Sequence, residues 1–387
     1  MQCIVVHYSE IATKGKNRNF FEKKLIINIS KSLGNMIKSV YKRYGRIVCD
    51  LDKKSEYEKI IQALEKIPGI AYFSFATKTD LDLEKIKKVS VDVLKNEKFD
   101  TFKVVSRRSN KNFPSTSQEL NNILGEHILN RMKKRVDVKN PDLKLYVEVC
   151  EKGVFVFCNK HYGIGGLPVD VSGKMICSLS GGIDSPVSSF MMMKRGCRVI
   201  FVHIYNETVV GSSVLTKLDD ILSQLTKFQT NSRLCIIPFG KIQREITASV
   251  PSEFRMIVYR RIMMRIINRI AVTENAKGIV TGDNIGQVAS QTLENLQCIY
   301  GASKLPVFTP LIGMNKEEII KIAEKIGTYK YSILPYPDCC SYMIAKHPET
   351  RADIGTITRI ENNIKNQEKL IEESIKEAKI KVFESRN

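Results

Sequence analysis

The sequence predicts an α/β protein: small α+β modules at the front, then a doubly wound parallel sheet. From Lys174 onward, strand-like and helix-like runs alternate, the pattern of a parallel sheet with crossover helices. At the head of that alternation stands Lys174–Phe190, K-M-I-C-S-L-S-G-G-I-D-S-P-V-S-S-F, an apolar strand that turns through Gly-Gly into a helix. In front of it, residues 1–165 break into short alternating strands and amphipathic helices. The Gly-rich stretch Tyr162–Pro168 separates the two parts.

Cys3–Tyr8 opens the chain as a strand, and Ser9–Asn19 is a polar loop carrying Lys14, Lys16 and Arg18. Phe20–Leu33 is amphipathic and helical, and Gly45–Asp50 is a second strand. The next helix, Glu56–Lys66, stops at Pro68-Gly69. Ile70–Phe75 is a strand, Leu83–Leu94 a helix, and Thr101–Ser106 alternates as a strand. Arg107–Leu120 brings Arg107, Arg108, Lys111 and Phe113 together, and Ser117 suits the N-cap of the helix through Glu119–His127. Leu143–Cys150 and Gly153–Cys158 form a hairpin across Glu151-Lys152. The expected divisions are 1–54, 55–165, a linker 166–173, a catalytic domain 174–350 and a charged helical tail 351–387.

A strand, a Gly-Gly turn and a helix N-terminus make an anion site, because free N–H groups point outward and the dipole favours negative charge. Pro186 suits the first helical turn, where its missing N–H costs nothing. The commoner phosphate loop, G-x-x-x-x-G-K-[ST], is absent: Gly173-Lys174 lacks the earlier glycine and precedes the strand. Strands follow at Arg198–His203, Arg233–Pro238 and Lys277–Gly282, with helices at Leu218–Phe228 and Phe254–Ala276. Ligands in such sheets sit at the carboxyl ends of strands, which is where the Gly-Gly turn, His203-Ile204 and Gly282 fall. Arg261, Arg265 and Arg269 share one helix face and read as a solvated stripe, whereas Arg260 lies on another face. Thr281–Thr292, T-G-D-N-I-G-Q-V-A-S-Q-T, lets the chain pass close to a ligand at Gly282 and Gly286, and also reads as a capped helix beginning near Asp283 and Asn284. Leu305–Ile312 leads into Asn315–Ala323, a segment read as structural. Pro335–Ser341 holds the vicinal pair Cys339-Cys340, and the tail Asn362–Phe383 alternates Lys and Glu as a solvated helix would.

Net charge is +20, from 61 basic and 41 acidic side chains, which favours a polyanionic partner. The excess is concentrated at the front: residues 1–50 carry 10 basic and 3 acidic groups, and 101–150 carry 10 and 5. No apolar run is long enough to span a bilayer and no signal peptide opens the chain, so a cytoplasmic protein with no membrane partner is expected. Ten cysteines without a C-x-x-C argue against a zinc site, and most are expected as small buried hydrophobes.

The S-G-G-I-D-S turn resembles the PP-loop of ATP pyrophosphatases, and the chain from Met1 to about His347 resembles the tRNA 4-thiouridine synthetase family (tRNA uracil 4-sulfurtransferases, also thiamine biosynthesis sulfurtransferases). The motifs that carry the resemblance are S-G-G-I-D-S-P-V, T-G-D-N-I-G-Q-V-A-S-Q-T and P-D-C-C. It implies a ferredoxin-like domain, a THUMP RNA-binding domain and a PP-loop domain. The implied reaction replaces the C4 oxygen of a tRNA uridine by sulfur, with ATP and Mg²⁺, through an adenylated intermediate. The resemblance places ATP at Ser178, Leu179, Ser180, Gly181, Gly182, Asp184, Ser185, His203, Ile204, Arg260, Gly282 and Gln291. It assigns Cys340 as the catalytic cysteine, Asp184 to ordering the loop or Mg²⁺, and RNA contacts to Lys14, Lys16, Arg18, Arg107, Arg108 and Lys111. Some members carry a C-terminal rhodanese domain. This chain runs to Asn387 without one, so the sulfur donor is expected to be a persulfide carrier such as a cysteine desulfurase, or sulfide. Cys339 falls where other members have no cysteine. A homodimer and a part in thiamine thiazole synthesis stay open. The alternatives are another PP-loop tRNA-modifying enzyme, or a THUMP protein that binds RNA without catalysis.

Overall fold

The computed structural model describes residues 2–52, 56–95, 97–206, 212–335 and 345–385. The chain divides into two compact units after Pro168.

The first unit is built on one continuous sheet. In chain order its elements are β1 (Gln2–His7), α1 (Arg18–Leu33), β2 (Ile37–Arg43), β3 (Arg46–Leu51), α2 (Tyr57–Leu64), β4 (Tyr72–Thr79), α3 (Leu83–Leu94), β5 (Thr101–Arg108), α4 (Ser117–Arg131), β6 (Arg135–Val136), β7 (Leu143–Cys150), β8 (Gly153–Phe157) and β9 (His161–Tyr162). The strand order is β2-β3-β1-β4-β8-β7-β5-β6, with β9 against β4. Period-2 alternation sends Ile4 and Val6 of β1 to α1 and α2, where they meet Leu25, Ile29, Ile60 and Leu64. Leu145, Val147 and Val149 of β7 likewise meet Leu120, Leu124 and Ile128 of α4. Thr116 caps α4 in a full capping box with Glu119, one residue before the Ser117 expected from sequence. β4 pairs with β1 on one side and β8 on the other, so strands from 1–54 and from 55–165 share one sheet.

The second unit holds β10 (Lys174–Ser178), α5 (Asp184–Lys194), β11 (Arg198–Tyr205), α6 (Ser212–Gln229), β12 (Asn231–Pro238), α7 (Gly240–Ser249), α8 (Arg255–Thr273), β13 (Ile279–Val280), α9 (Leu293–Tyr300), β14 (Val307–Phe308), α10 (Lys316–Ile326), α11 (Tyr329–Ser332), α12 (Ile354–Glu361), α13 (Gln367–Lys376) and β15 (Lys379–Glu384). Its sheet runs β14-β13-β10-β11-β12-β15. All neighbours are parallel except β15, which lies antiparallel on β12. The chain winds from β10 to one side through β11 and β12, and to the other through β13 and β14. The order reverses at β10, so the crevice beyond its carboxyl end is the switch point at which such sheets bind ligands.

The C-terminal region departs from the expected solvated tail. Ile357, Ile364 and Ile371 are buried in the main core of this unit beside Ile262 and Ile266 of α8, and β15 closes the sheet edge. Each such side chain contributes on the order of 1.5–3 kcal/mol when buried. The Lys/Glu alternation hid a sparse apolar stripe that the core takes up. The arginine stripe of α8 is only partly solvated, and all three arginines are paired. Arg261 is 3% exposed, and its guanidinium donates to Glu361 of α12 and to the Cys298 carbonyl. Arg265 donates to the same carboxylate at 2.9 Å, and Arg269 pairs with Glu368. No helix among the described residues is long and apolar enough to cross a membrane.

Candidate active site

The turn after β10 is closed by its own serines. The Ser180 N–H donates to Ser185 Oγ at 2.9 Å, the two hydroxyls lie 3.1 Å apart, and the Gly182 N–H reaches Ser180 Oγ at 3.3 Å. α5 starts at Asp184, with Pro186 in its first turn as expected. Asp184 is fixed from both sides: Oδ1 accepts from Lys316 Nζ at 2.7 Å and Oδ2 from Gln287 Nε2 at 2.9 Å. Gly282, just past β13, packs against the start of α5, and a Cβ there would stand 2.7 Å from the Ser185 nitrogen. No side chain fits, which is the physical reason for glycine at this position.

Behind Gly282 lies a buried polar hub. Asp283, 4% exposed, accepts from Arg260 Nη2 at 2.6 and 2.7 Å, from the Tyr300 hydroxyl at 2.7 Å and from Gln291 Nε2 at 3.1 Å. Burial alone would raise the Asp283 pKa, but the Arg260 charge and the Tyr300 and Arg260 hydrogen bonds more than offset it and hold the carboxyl below its ordinary range. Tyr300 moves up, through burial and then the adjacent Asp283 charge. The expected helix cap at Asp283 and Asn284 is therefore not formed. The helix starts later, and Thr292 caps it by accepting from the Asn295 N–H. Asp283 serves Arg260 and Gln291 instead.

A cavity of about 560 Å³ opens between this hub and the serine turn. Ser178, Ser180, Asp184, Ser185, Arg260, Gly282 and Gln291 line it, so seven of the residues expected around the nucleotide converge on one space. Its other wall is apolar, with Met256, Met264 and Ile267 of α8 and Ile299 of α9. Leu179, His203 and Ile204 are buried beside it rather than on its wall, and the His203 Nδ1 shares a hydrogen bond with the Leu179 carbonyl at 2.8 Å. Gly181 is buried and Gly182 exposed within the turn. Cys339 and Cys340 lie outside the described residues. The chain described from Ala345 returns to the cavity rim at Pro348 and Glu349, where the Glu349 N–H donates to the Glu253 carbonyl at 3.1 Å. The eight described cysteines are free and buried, and burial pushes their thiols upward, Cys3 and Cys158 to about 12. They are poor thiolates.

Sequence reasoning missed Lys316, Gln287, Asp283 and Tyr300. Lys316 sat in the segment read as structural. Its signal was a lone lysine after the Asn315 cap, which nothing local separates from a helix-start surface lysine.

In the first unit, strand alternation separates Arg107 from Arg108. Arg108 turns to α4 and donates to the Phe113 and Ser115 carbonyls at 2.8 and 3.1 Å, so it holds its own loop. Phe113, which the sequence sets among these basic residues, is buried in the core with Leu120 and Leu124 and offers no ring to a ligand. Arg107 and Lys111 are exposed. Arg18 is tied to the Tyr8 hydroxyl and to Glu22, while Lys14 lies 5.2 Å from the Phe21 ring centroid and Lys16 is exposed.

Comparison with known proteins gives the same picture. Residues 170–366 match the family described as thiamine biosynthesis protein (ThiI), residues 3–74 the ThiI ferredoxin-like domain and residues 81–159 the THUMP domain. The chain is 40% identical over 366 residues to a probable tRNA sulfurtransferase of Thermoanaerobacter pseudethanolicus, covering 94% of this chain and 96% of that one. It is 41% identical to the protein of that name from Caldanaerobacter subterraneus, with the same coverage. Among solved structures, a 4-thiouridine synthetase–RNA complex with bound ATP superposes with a TM-score of 0.91 at 38% identity, over 99% of this chain and all of that one. A protein from Pyrococcus horikoshii superposes at 0.66 with 26% identity, over 84% of this chain and all of that one. The α/β architecture, the ordered turn and these full-length likenesses together mean that the chain belongs to the ThiI family of tRNA sulfurtransferases.

Proposed function

We propose that the protein uses ATP to replace the C4 oxygen of a tRNA uridine by sulfur, through an O4-adenylated intermediate. The observation that carries this is the convergence of the serine turn, Asp184, Gly282 and Arg260 on one cavity at the switch point of the sheet. A carbonyl oxygen is a poor leaving group. Attack of O4 on the α-phosphate of ATP makes the C4–O bond part of a phosphate ester and releases pyrophosphate. Sulfur then adds at C4, the C4–O bond breaks, and AMP leaves.

The N–H groups and hydroxyls of the turn, with the α5 N-terminus, receive the pyrophosphate portion. Arg260 and Gln291, both held by Asp283, face the nucleoside portion, with Ser178, Leu179, His203, Ile204 and Gly282 around it. Lys316 stands where negative charge builds on the phosphates, and its ion pair with Asp184 keeps it there. Mg²⁺ suits this site: it takes one or two carboxylates and completes its shell with phosphate oxygens and water. Asp184 is the carboxylate that would hold it, and bound Mg²⁺ would neutralise phosphate charge. Cys340 carries the transferred sulfur as a persulfide, loaded by a carrier such as a cysteine desulfurase; its outer sulfur adds at C4, and Cys339 attacks the Cys340 sulfur, so that the S–S bond of the persulfide breaks as a Cys339–Cys340 disulfide forms, which an external thiol reductant reopens. Where sulfide is the donor it adds at C4 directly, without a persulfide. The RNA is held by the basic first unit, where Lys14, Lys16, Arg107 and Lys111 supply phosphate contacts. Thiamine thiazole synthesis would draw on the same sulfur delivery.

Asp184→Ala tests the reading. It should abolish tRNA-dependent AMP release and leave tRNA affinity within about twofold, because the turn and the basic front lie in different units. Normal turnover by this variant would refute it. Nucleoside analysis of tRNA from a deletion strain should show loss of 4-thiouridine.

A further inference from the structure

The chain enters the cysteine segment at Pro335 and leaves it at Ala345, and a different polar side chain holds each stem. Behind the exit, Asn295 of α9 is fully buried. Its Nδ2 donates to the Glu349 and Ala289 carbonyls, both at 2.8 Å, and its Oδ1 accepts from the Ala352 N–H at 3.2 Å. The Thr292 hydroxyl donates to the Thr350 carbonyl at 2.7 Å. Ala289 and Glu349 also line the cavity, so this stem is tied to the cavity wall.

The entry stem is held by a lysine. Lys217 of α6 is 6% exposed, and its Nζ donates to the Ser332 carbonyl at 3.0 Å and to the Leu334 carbonyl at 2.8 Å. Helical spacing puts it in one row with Ile221, Leu225 and Phe228, all buried, so it occupies a position that an apolar residue would ordinarily fill. Taking an ammonium out of water is costly unless it is hydrogen-bonded, and burial pulls this amine below the ordinary lysine range. Apolar packing does not hold the stem in its place: Ile333 and Leu334 are 55% and 47% exposed. The last carbonyls of a helix lack intrahelical partners. Lys217 takes the one at the end of α11 and the one two residues on, and so ties the stem to α6.

We infer that Lys217 is a positioning residue for sulfur transfer: it fixes the point from which the chain departs toward Cys340, and so where the persulfide sulfur meets C4. Cys340 lies six residues beyond Leu334 and five before Ala345. Each residue spans at most about 3.5 Å, so a thiol on arms this short follows a shift of either stem. Adenylation does not depend on this stem, since the serine turn, Asp184 and Arg260 are placed by other elements. The inference rests on the reading that Cys340 carries the sulfur, and it adds the group that places it.

The test uses the full-length chain, in excess over tRNA, and three single-turnover measurements: pyrophosphate release with no sulfur donor, thiolation driven by sulfide, and thiolation driven by a persulfide-loaded cysteine desulfurase. In Lys217→Met the third should fall at least about tenfold while the first two stay within about twofold. Lys217→Gln, a shorter donor that keeps the site polar, should fall between wild type and Met in the third alone, and it carries the same test if the Met variant does not fold. A lysine that only caps α11 would give another pattern. All three rates would fall together as the unit loosens, or none would change, and either result overturns the inference. Cys340→Ser separates the inference from the reading beneath it. If Cys340→Ser loses persulfide-driven thiolation and the Lys217 variants keep it, the reading stands and Lys217 has no such part. If Cys340→Ser keeps it, the persulfide reading falls and the inference with it.

Discussion

Gly282 decides more at this site than its size suggests. A Cβ there would meet the Ser185 nitrogen at 2.7 Å and the Asp184 carbonyl carbon at 2.9 Å, both backbone atoms that cannot swing aside. Gly282→Ala should push the head of α5 away from β13 at a cost of about 1–3 kcal/mol. The expected outcome is loss of at least about tenfold in AMP release, read against a melting curve that still shows a cooperative fold. The sequence made Gly282 legible because a glycine at a strand's carboxyl end beside a nucleotide motif has few other uses. It left Asp283 illegible. A buried carboxylate that orients an arginine reads, in one dimension, like any acidic cap, and only the fold brings Tyr300 and Gln291 to it.

Among the elements, α12 shows where reading by pattern fails. Its partner, α8, lies about a hundred residues earlier, and a stripe of arginines is expected in water unless a carboxylate is brought to it from afar. Glu361, 2% exposed, is that carboxylate, and Arg261 and Arg265 converge on it. Removing one partner of a buried pair costs about 3–5 kcal/mol, because the charge left behind stays out of water. Glu361→Leu should therefore loosen α12 and the α8 face beneath it. Hydrogen exchange of α12 amides should speed up well before exchange in β10 and β11. Wild-type protection in α12 would show that apolar packing alone holds it. The strongly patterned elements were legible: β10, β11 and β12 lie where their apolar runs put them. β15 was not, since K-I-K-V-F-E reads as a helix end until an open strand edge is present to pair with it.

At the scale of the whole molecule, each unit carries its own buried charges and so its own response to acid. In the first unit, burial would raise Glu148, but the His7 hydrogen bond and charge and the Arg46 guanidinium hold it down, from 4.5 to about 2. A depressed carboxylate stabilises the fold above its unfolded pKa and loses that contribution as pH falls through the folded one. The contribution is about 3 kcal/mol, present at neutral pH and lost between about pH 4.5 and pH 2. Hydrogen exchange in β7 followed over that range should show the loss, and Glu148→Gln should flatten it. The sheet of the second unit has a further consequence, in the order of its synthesis. β12 stays an unpaired edge until β15 pairs with it, and β15 is the last element of the unit to leave the ribosome. The first unit, whose strands all precede residue 163, completes its pairing while the second is still being made. During that interval the nascent second unit exposes a strand edge and the apolar surface that α12 and α13 later cover, so a chaperone has most to do there, late in translation.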